Sequence, residues 1–260
     1  LSGGERNRVL LARLFALPRS SWADYDTRLI SKGGAVYPRS QKSITLSPEA
    51  CAALGLDGAE VDPTQLLTAI LTAPVDLLWF GGIGTYVKAA AQNNADVGDP
   101  ANDRLRVDAE AVRARVIGEG ANLGITQAAR IAFSQKGGRI NTDFIDNSAG
   151  VDCSDNEVNI KIALNKEVRE GRLGADARNT MLSAMTDDVA ALVLADNRAQ
   201  ALALSIAERG GVRALPSIIR LIERFESEGR LDRKVEGLAS NDELLRRAQD
   251  LRGLTRPELA

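Results

Sequence analysis

Residues 75–84 read VDLLWFGGIG, and residues 114–124 read ARVIGEGANLG. Each begins with a short apolar run typical of a buried strand, and each ends in a glycine-rich turn. A helix is predicted over residues 126–134, followed by a third strand over residues 139–145 that ends at Asp146 and Asn147. Strands that alternate with single helices predict an α/β fold with a parallel sheet. In such sheets ligands bind beside the carboxyl ends of the strands, where all three turns fall.

The chain before this block is predicted to be irregular over residues 17–44 and then to form two short helices, whereas the chain after it is predicted to be helical. Upstream, Ser47 and Asp62 stand before prolines at the start of two short helices. Downstream, amphipathic helices are predicted over residues 157–168, 176–209, 217–228 and 242–250. We therefore expect three parts: an opening helix over residues 1–16, an α/β domain over residues 17–165, and a helical region over residues 166–260.

The composition excludes several classes of protein. The 260 residues are 44% hydrophobic and 26% charged, close to ordinary folded proteins. No apolar run approaches the ~18–20 residues that span a bilayer, and a formal net charge of −2 gives no basic excess for nucleic acid. Neither membrane nor nucleic acid is expected as a partner. Two cysteines cannot form a disulfide framework and no secretory leader is evident, so a cytoplasmic location is expected.

The sequence contains no histidine. This excludes Ser-His-Asp and Cys-His nucleophile systems and histidine-based zinc sites. Cys153 is therefore not expected to act as a nucleophile. Asp146, Asp152 and Asp155 lack the spacing of a calcium loop, so no metal site is predicted.

The candidate ligand-binding residues lie in the turns that follow the predicted strands. Glycines there would allow backbone N–H groups to approach a phosphate or a nicotinamide ring, although each cluster is equally consistent with a tight turn that binds nothing. Asn147 offers a donor and an acceptor to a carboxamide, Asp143 could bind a ribose hydroxyl, and Ser154 could cap the next helix or donate to a carboxylate. The cofactor-binding candidates are Gly81, Gly82, Gly84, Glu119, Gly120, Asn122 and Asn147.

Four long motifs resemble the large-subunit, NAD-specific glutamate dehydrogenases of bacteria. They are LPRSSWADYD at 17–26, DLLWFGGIGTYVK at 76–88, GEGAN at 118–122 and INTDFIDNSAGVDCS at 140–154. LTRPELA at 254–260 is similar to a further block of that family. The resemblance implies a partial Rossmann-like parallel sheet, the distal half of a dinucleotide-binding domain, followed by an α-helical C-terminal region.

The resemblance also implies a function and a set of roles. The family reaction is the NAD-dependent oxidative deamination of L-glutamate to 2-oxoglutarate and ammonia. Asn122 and Asn147 would lie beside the nicotinamide and its ribose, while Ser154 and the backbone near Val151 would approach the side-chain carboxylate of glutamate. The catalytic lysine and aspartate are expected upstream of this chain, so the isolated chain is expected to be inactive. A homo-oligomer is expected for the full-length protein, and the alternative is a non-catalytic nucleotide-binding or interaction module.

We expect the sequence to be truncated at both ends. The chain begins at Leu1 rather than at a methionine. A capping box at Thr255 to Glu258 predicts the start of a helix, yet only two residues follow it. Residues 1–15 resemble the signature helix of ABC-type ATPases, but the sequence contains no GxxxxGK[ST] phosphate loop. An ATPase remnant is therefore a remote alternative. The segment is either a chimeric junction or a chance likeness at the dehydrogenase family's own sequence.

Overall fold

The computed structural model describes Ala16, Ser21, residues 24–38 and residues 40–260. The opening helix predicted over residues 1–16, and with it the likeness to an ATPase helix, lies outside the described residues apart from Ala16.

In the residues that the structure describes, six short strands pair in three two-stranded sheets. They are β1 (Ile44–Thr45), β2 (Glu60–Val61), β3 (Leu77–Phe80), β4 (Val87–Lys88), β5 (Val107–Asp108) and β6 (Val116–Glu119). The β1–β2 pair is antiparallel, whereas β3–β6 and β4–β5 are parallel. A single parallel bridge between Val116 and Arg139 extends the β3–β6 sheet on its β6 side. The predicted α/β class with parallel pairing is confirmed at this level.

Ten α-helices occur in the described part of the chain, besides three single-turn 3-10 helices. They are α1 (Pro48–Leu54), α2 (Pro63–Leu71), α3 (Asn94–Val97), α4 (Gln127–Gln135), α5 (Asp143–Asp146), α6 (Ser148–Arg169), α7 (Ala175–Ala184), α8 (Thr186–Ser227), α9 (Asn241–Gln249) and α10 (Arg256–Leu259). The predicted starts of α1, α2 and α4 are confirmed, because the side chains of Ser47, Asp62 and Thr126 accept backbone N–H groups there. The predicted capping box of Thr255 and Glu258 is also present.

The third predicted strand is wrong. After Arg139 the chain does not continue as a strand, because Thr142 becomes the extended N-cap of α5. Asn141, Thr142 and Asp143 are polar residues that favour helix starts over strand interiors. The apolar neighbours Ile140 and Ile145 mimic a strand pattern in the sequence although the backbone turns between them.

The predicted helix start at Ser154 is also wrong. Helix α6 begins at Ser148, with Asn147 as its N-cap. Ser154 therefore lies inside the helix, and its hydroxyl donates to the carbonyl of Gly150 at 3.2 Å.

The core lies on one side of the β3–β6 sheet. Phe80 and Ile117 point to this side and pack with Val87, Ile125 and Phe133 of the neighbouring segments. The opposite face of the same strands is open: the exposed fraction is 55% for Leu77 and 58% for Trp79. Parallel sheets are ordinarily covered on both faces.

The C-terminal helices form a second, less buried part. Helix α6 packs along α8, which bends at Gly211, where φ is 49°. Gly211 has a non-helical backbone conformation, so this kink separates the two helices that were predicted on either side of the glycine pair Gly210 and Gly211. Judged by length and composition alone, helix α8 is long and apolar enough to cross a membrane. The helix carries charged residues along its length, among them Asp196 and Arg198, so the expectation that no uninterrupted apolar run of spanning length occurs is not overturned. The expectation that a membrane is not a partner stays a prediction.

Candidate functional site

The three predicted turns meet at one edge of the β3–β6 sheet. Beyond β6, the N–H groups of Gly120 and Ala121 donate to the carbonyl of Phe80 at 2.9 and 3.1 Å. The Thr85 hydroxyl donates to the carbonyl of Leu123 at 2.6 Å, which ties the turn after β3 to the turn after β6. The side-chain amide of Asn147 donates to Asn122 Oδ1 at 3.0 Å. The structure therefore brings Asn122 and Asn147 into direct contact at the carboxyl edge.

Helix α6 (Ser148–Arg169) continues this edge as a row of side chains. Asn147, Val151 and Ser154 are spaced four and three residues apart, so they occupy one face of the helix. Val151 is 51% exposed and Ser154 is also exposed. We call the solvent-facing residues of this edge the rim: Gly81, Gly82, Asn122, Asn147, Val151 and Ser154.

The glycines of the two turns differ in whether the fold leaves room for a side chain. Gly84 has φ at +104°, and an added Cβ would lie 2.7 Å from Asn102 Nδ2. At Gly120 a Cβ would lie 2.3 Å from Trp79 Cζ2. At Gly82 a Cβ would meet nothing within 4 Å, and φ is outside the left-handed region. Folding explains Gly84 and Gly120, whereas nothing in the described structure requires Gly82 to lack a side chain.

A buried ionic group lies directly beneath the rim. Arg130 of α4 donates to Glu119 through Nε at 2.7 Å and Nη2 at 3.0 Å. The same guanidinium lies 3.1 Å from Asp143 Oδ2. The residue exposures are 0% for Glu119, 5% for Arg130 and 7% for Asp143. With Asp146, these residues form what we call the support cluster.

Two sequence-based site assignments change as a result. The side chain of Glu119 is not available to a cofactor, because it is enclosed and bonded to Arg130 and to the N–H of Ile125. Asp143 is likewise engaged inside the protein: it accepts the N–H of Leu123 at 2.8 Å and pairs with Arg130. In this conformation the Asp143 carboxylate is not placed to bind a ribose hydroxyl.

The support cluster holds the backbone of the turn after β6. Asp143 accepts the N–H of Leu123, and Asp146 Oδ2 accepts the N–H of Glu119 at 2.9 Å. Leu123 has φ at 63°, a conformation that costs a non-glycine residue energy and needs support from its surroundings. The two carboxylates therefore fix the backbone on both sides of Asn122.

The electrostatics of the cluster follow from its burial. Burial raises the pKa of the Glu119 carboxyl above its ordinary value, and the bonds from Arg130 only partly oppose that rise. Burial lowers the pKa of Arg130, but the bonds and charges of Glu119 and Asp143 outweigh it, so the net pKa is raised and the guanidinium stays charged.

The rim itself carries hydrogen-bonding groups and no titratable side chain. Its amides and hydroxyl can orient a ligand, but they cannot serve as a general acid or base near neutral pH. Among the residues that the structure describes, no group of three or more acidic or cysteine side chains is placed to hold a metal ion. Cys153 is exposed and is a free thiol.

Sequence reasoning missed Arg130 altogether. The residue sits between Ala129 and Ile131 in α4, so its charge falls on a buried stretch of the helix. A charged residue in such a position needs a buried partner. That signal could have pointed to Glu119 as a structural rather than a ligand-binding residue.

Residues 5–207 match the model of a family described as bacterial NAD-glutamate dehydrogenase, catalytic domain. The chain belongs to this family. The match begins at residue 5, inside the segment that resembles an ATPase helix, which favours the family's own sequence as the explanation of that segment.

Curated members of the family are closely similar to the chain. It is 54% identical over 248 residues to the NAD-specific glutamate dehydrogenase of Pseudomonas aeruginosa, and 53% identical over 254 residues to that of Mycobacterium tuberculosis. The enzyme of the same name from Halomonas elongata is 49% identical over 248 residues. Each alignment covers 95% of this chain but only 15–16% of the relative. The chain thus spans about a sixth of the length of these relatives.

Proposed function

We propose that this chain is the part of a longer NAD-specific glutamate dehydrogenase that binds the nicotinamide end of NAD. The observation that carries the proposal is the contact of Asn122 with Asn147 at the carboxyl edge of the parallel β3–β6 pair. The rim would hold and orient the cofactor, while groups elsewhere in the longer protein would carry out the proton transfers.

The two asparagines fit a carboxamide. Asn147 Nδ2 is committed to Asn122 Oδ1, so Asn147 Oδ1 and Asn122 Nδ2 remain as an acceptor and a donor. No described residue bonds to either atom. A primary carboxamide needs one donor and one acceptor side by side. The nicotinamide of NAD supplies such a group, and its ring accepts the hydride when the cofactor is bound.

The row along α6 fits the second substrate. Ser154 lies two turns from Asn147 on the same helix face, and its hydroxyl can turn from the carbonyl of Gly150 to a ligand. The N-terminal end of a helix also favours a negative group. Ser154 and the backbone near Val151 would therefore hold the side-chain carboxylate of glutamate while its α-carbon faces the nicotinamide.

The test measures NAD reduction by glutamate in the full-length polypeptide. Asn147→Ala removes one or two hydrogen bonds to the carboxamide, so kcat/KM for NAD should fall by the equivalent of about 1–3 kcal/mol. Asn159→Ala is the matched control, because Asn159 lies farther along the same helix and its amide bonds only to the carbonyl of Asp155. Wild-type kinetics in Asn147→Ala would remove this residue from the site.

Ser154→Ala separates the two substrates. Loss of a hydrogen bond to a charged carboxylate should raise the KM for glutamate by the equivalent of roughly 1.5–3 kcal/mol and leave the KM for NAD unchanged. Ser227→Ala is the control, because Ser227 is an exposed helix serine bonded to the carbonyl of Arg224. An equal effect on both substrates would contradict the assignment. NADH binding without turnover would favour the non-catalytic alternative.

A further inference from the structure

A chain of three side chains connects the C-terminal end of the sequence to the rim. Arg256 lies 115 residues from Asn141 along the sequence, yet its Nε donates to Asn141 Oδ1 at 2.8 Å. Asn141 Nδ2 then donates to Asp146 Oδ1 at 2.7 Å. The other oxygen of Asp146 accepts the N–H of Glu119 at 2.9 Å. We call Arg256, Asn141 and Asp146 the relay.

The relay ends on the two backbone segments that carry the rim amides. Asp146 directly precedes Asn147, and Glu119 comes three residues before Asn122. One carboxylate thus joins the start of α6 to the end of β6. Any shift of Asp146 would change the separation of Asn122 and Asn147, whose side chains bond at 3.0 Å.

Arg256 is itself held from the other side. Its Nη1 donates to the hydroxyl of Ser205 at 3.1 Å and to Glu208 Oε2 at 3.0 Å, both on α8. The side chain is only 17% exposed. A planar guanidinium can donate through Nε to Asn141 and through Nη1 to α8 at the same time. A lysine ammonium is a single charged centre and cannot make both sets of hydrogen bonds in this geometry.

The short helix that carries Arg256 is also fixed. Glu258 closes the capping box on Thr255 and pairs with Arg247 at 2.7 Å. The amide of Gln127 in α4 donates to the carbonyl of Pro257 at 2.8 Å. The starting point of the relay is therefore as well defined as its end.

We propose that Arg256 is a positioning residue for the nicotinamide-binding rim, acting through Asn141 and Asp146 on the turn that carries Asn122. This inference rests on the function proposed above. The polar partners of the Arg256 side chain are Asn141, Ser205 and Glu208, none of them a rim residue, so its effect on the cofactor is transmitted by the relay.

The kinetic test uses the full-length polypeptide. Arg256→Ala should lower kcat/KM for NAD about tenfold, the size of effect that follows from loosening one or two hydrogen bonds. Arg252→Ala, which removes an exposed arginine from the same stretch, should behave as wild type. Asn141→Ala should match Arg256→Ala, and the double variant should be no worse than either, because both break the same relay. Unchanged kinetics in Arg256→Ala would overturn the proposal. So would a double variant whose loss of kcat/KM equals the sum of the two single losses, because two residues that only stabilise the fold would act independently.

A second measurement does not depend on activity. Amide hydrogen exchange over residues 118–124 should be faster in Arg256→Ala than in wild type or Arg252→Ala, because the N–H of Glu119 loses its fixed acceptor. Arg256→Lys, which keeps the charge beside Glu208, should give intermediate exchange and replaces the alanine variant if that one does not fold. Wild-type exchange in these variants would refute the relay. If the wild-type polypeptide shows no NAD reduction by glutamate, the proposed function fails, and the exchange result alone decides the positioning role.

Discussion

The rim and the support cluster are adjacent, yet they are built from opposite kinds of residue. The rim consists of glycines, amides, a hydroxyl and an apolar side chain that face solvent, whereas the support cluster consists of charged groups within the protein. Binding and positioning are therefore assigned to different residues. The GEGAN motif contains both kinds, because Glu119 points inward and Asn122 points outward.

Removing the charge at the centre of the support cluster should have the largest effect. Arg130→Met would leave the carboxylates of Glu119 and Asp143 buried without their partner, and should lower the free energy of unfolding by about 3–5 kcal/mol. Urea denaturation of this chain measures the change, with the exposed Arg104→Met as control. Adding Glu119→Gln to Arg130→Met should recover part of the loss. A loss no larger in Arg130→Met than in Arg104→Met would contradict a cluster held together by charge.

Alanine substitutions of the glycines in the turn after β3 should have smaller effects, and they separate loss of NAD binding from loss of stability. Gly82→Ala places its methyl in open space, so the free energy of unfolding should not change. If NAD approaches this turn, the same methyl should weaken NAD binding by roughly 1–3 kcal/mol through overpacking. Gly84→Ala should do the reverse and destabilise the fold, because of its positive φ and its contact with Asn102. Unchanged NAD kinetics in Gly82→Ala would show that the turn does not contact the cofactor.

The smallest expected effect is a pH dependence of the free energy of unfolding, which arises from Glu119 in the support cluster. The pKa of Glu119 is raised above 4.5 in the folded protein, so the folded state retains this proton to higher pH than the unfolded chain does. The contribution of Glu119 to stability should therefore fall as pH rises from about 4.5 through the folded-state pKa. The measurement is the difference in unfolding free energy between wild type and Glu119→Gln across this range, with the exposed Glu236→Gln as control. A difference that grows in favour of wild type with rising pH would have the wrong sign.

The sequence predicted the local features that a few adjacent residues determine. The helix caps at Ser47, Asp62 and Thr126 were predictable because each rests on one side chain and the next turn of backbone. The helix start at Thr142 was not predictable in this way, because the apolar spacing of Ile140 and Ile145 suits a strand. Only the backbone shows that the chain turns at Thr142 into helix α5.

The turns of the rim that follow β3 and β6 were predictable from the sequence, and the support cluster was not. The turns after β3 and β6 follow neighbouring parallel strands, so their position at one edge follows from the topology. Asn147 lies at the same edge although it follows helix α5 and not the predicted third strand. The bonds of Arg130 and Arg256 depend on tertiary packing between distant segments, and no periodicity or spacing encodes them.

The most direct measurement is an experimental structure of the full-length polypeptide with NADH and 2-oxoglutarate bound. We predict that the nicotinamide carboxamide lies within hydrogen-bond distance of Asn147 Oδ1 and Asn122 Nδ2, with Glu119 still enclosed beneath it. A nicotinamide bound away from the carboxyl edge of β3 and β6, with both asparagines facing only water, would contradict the account.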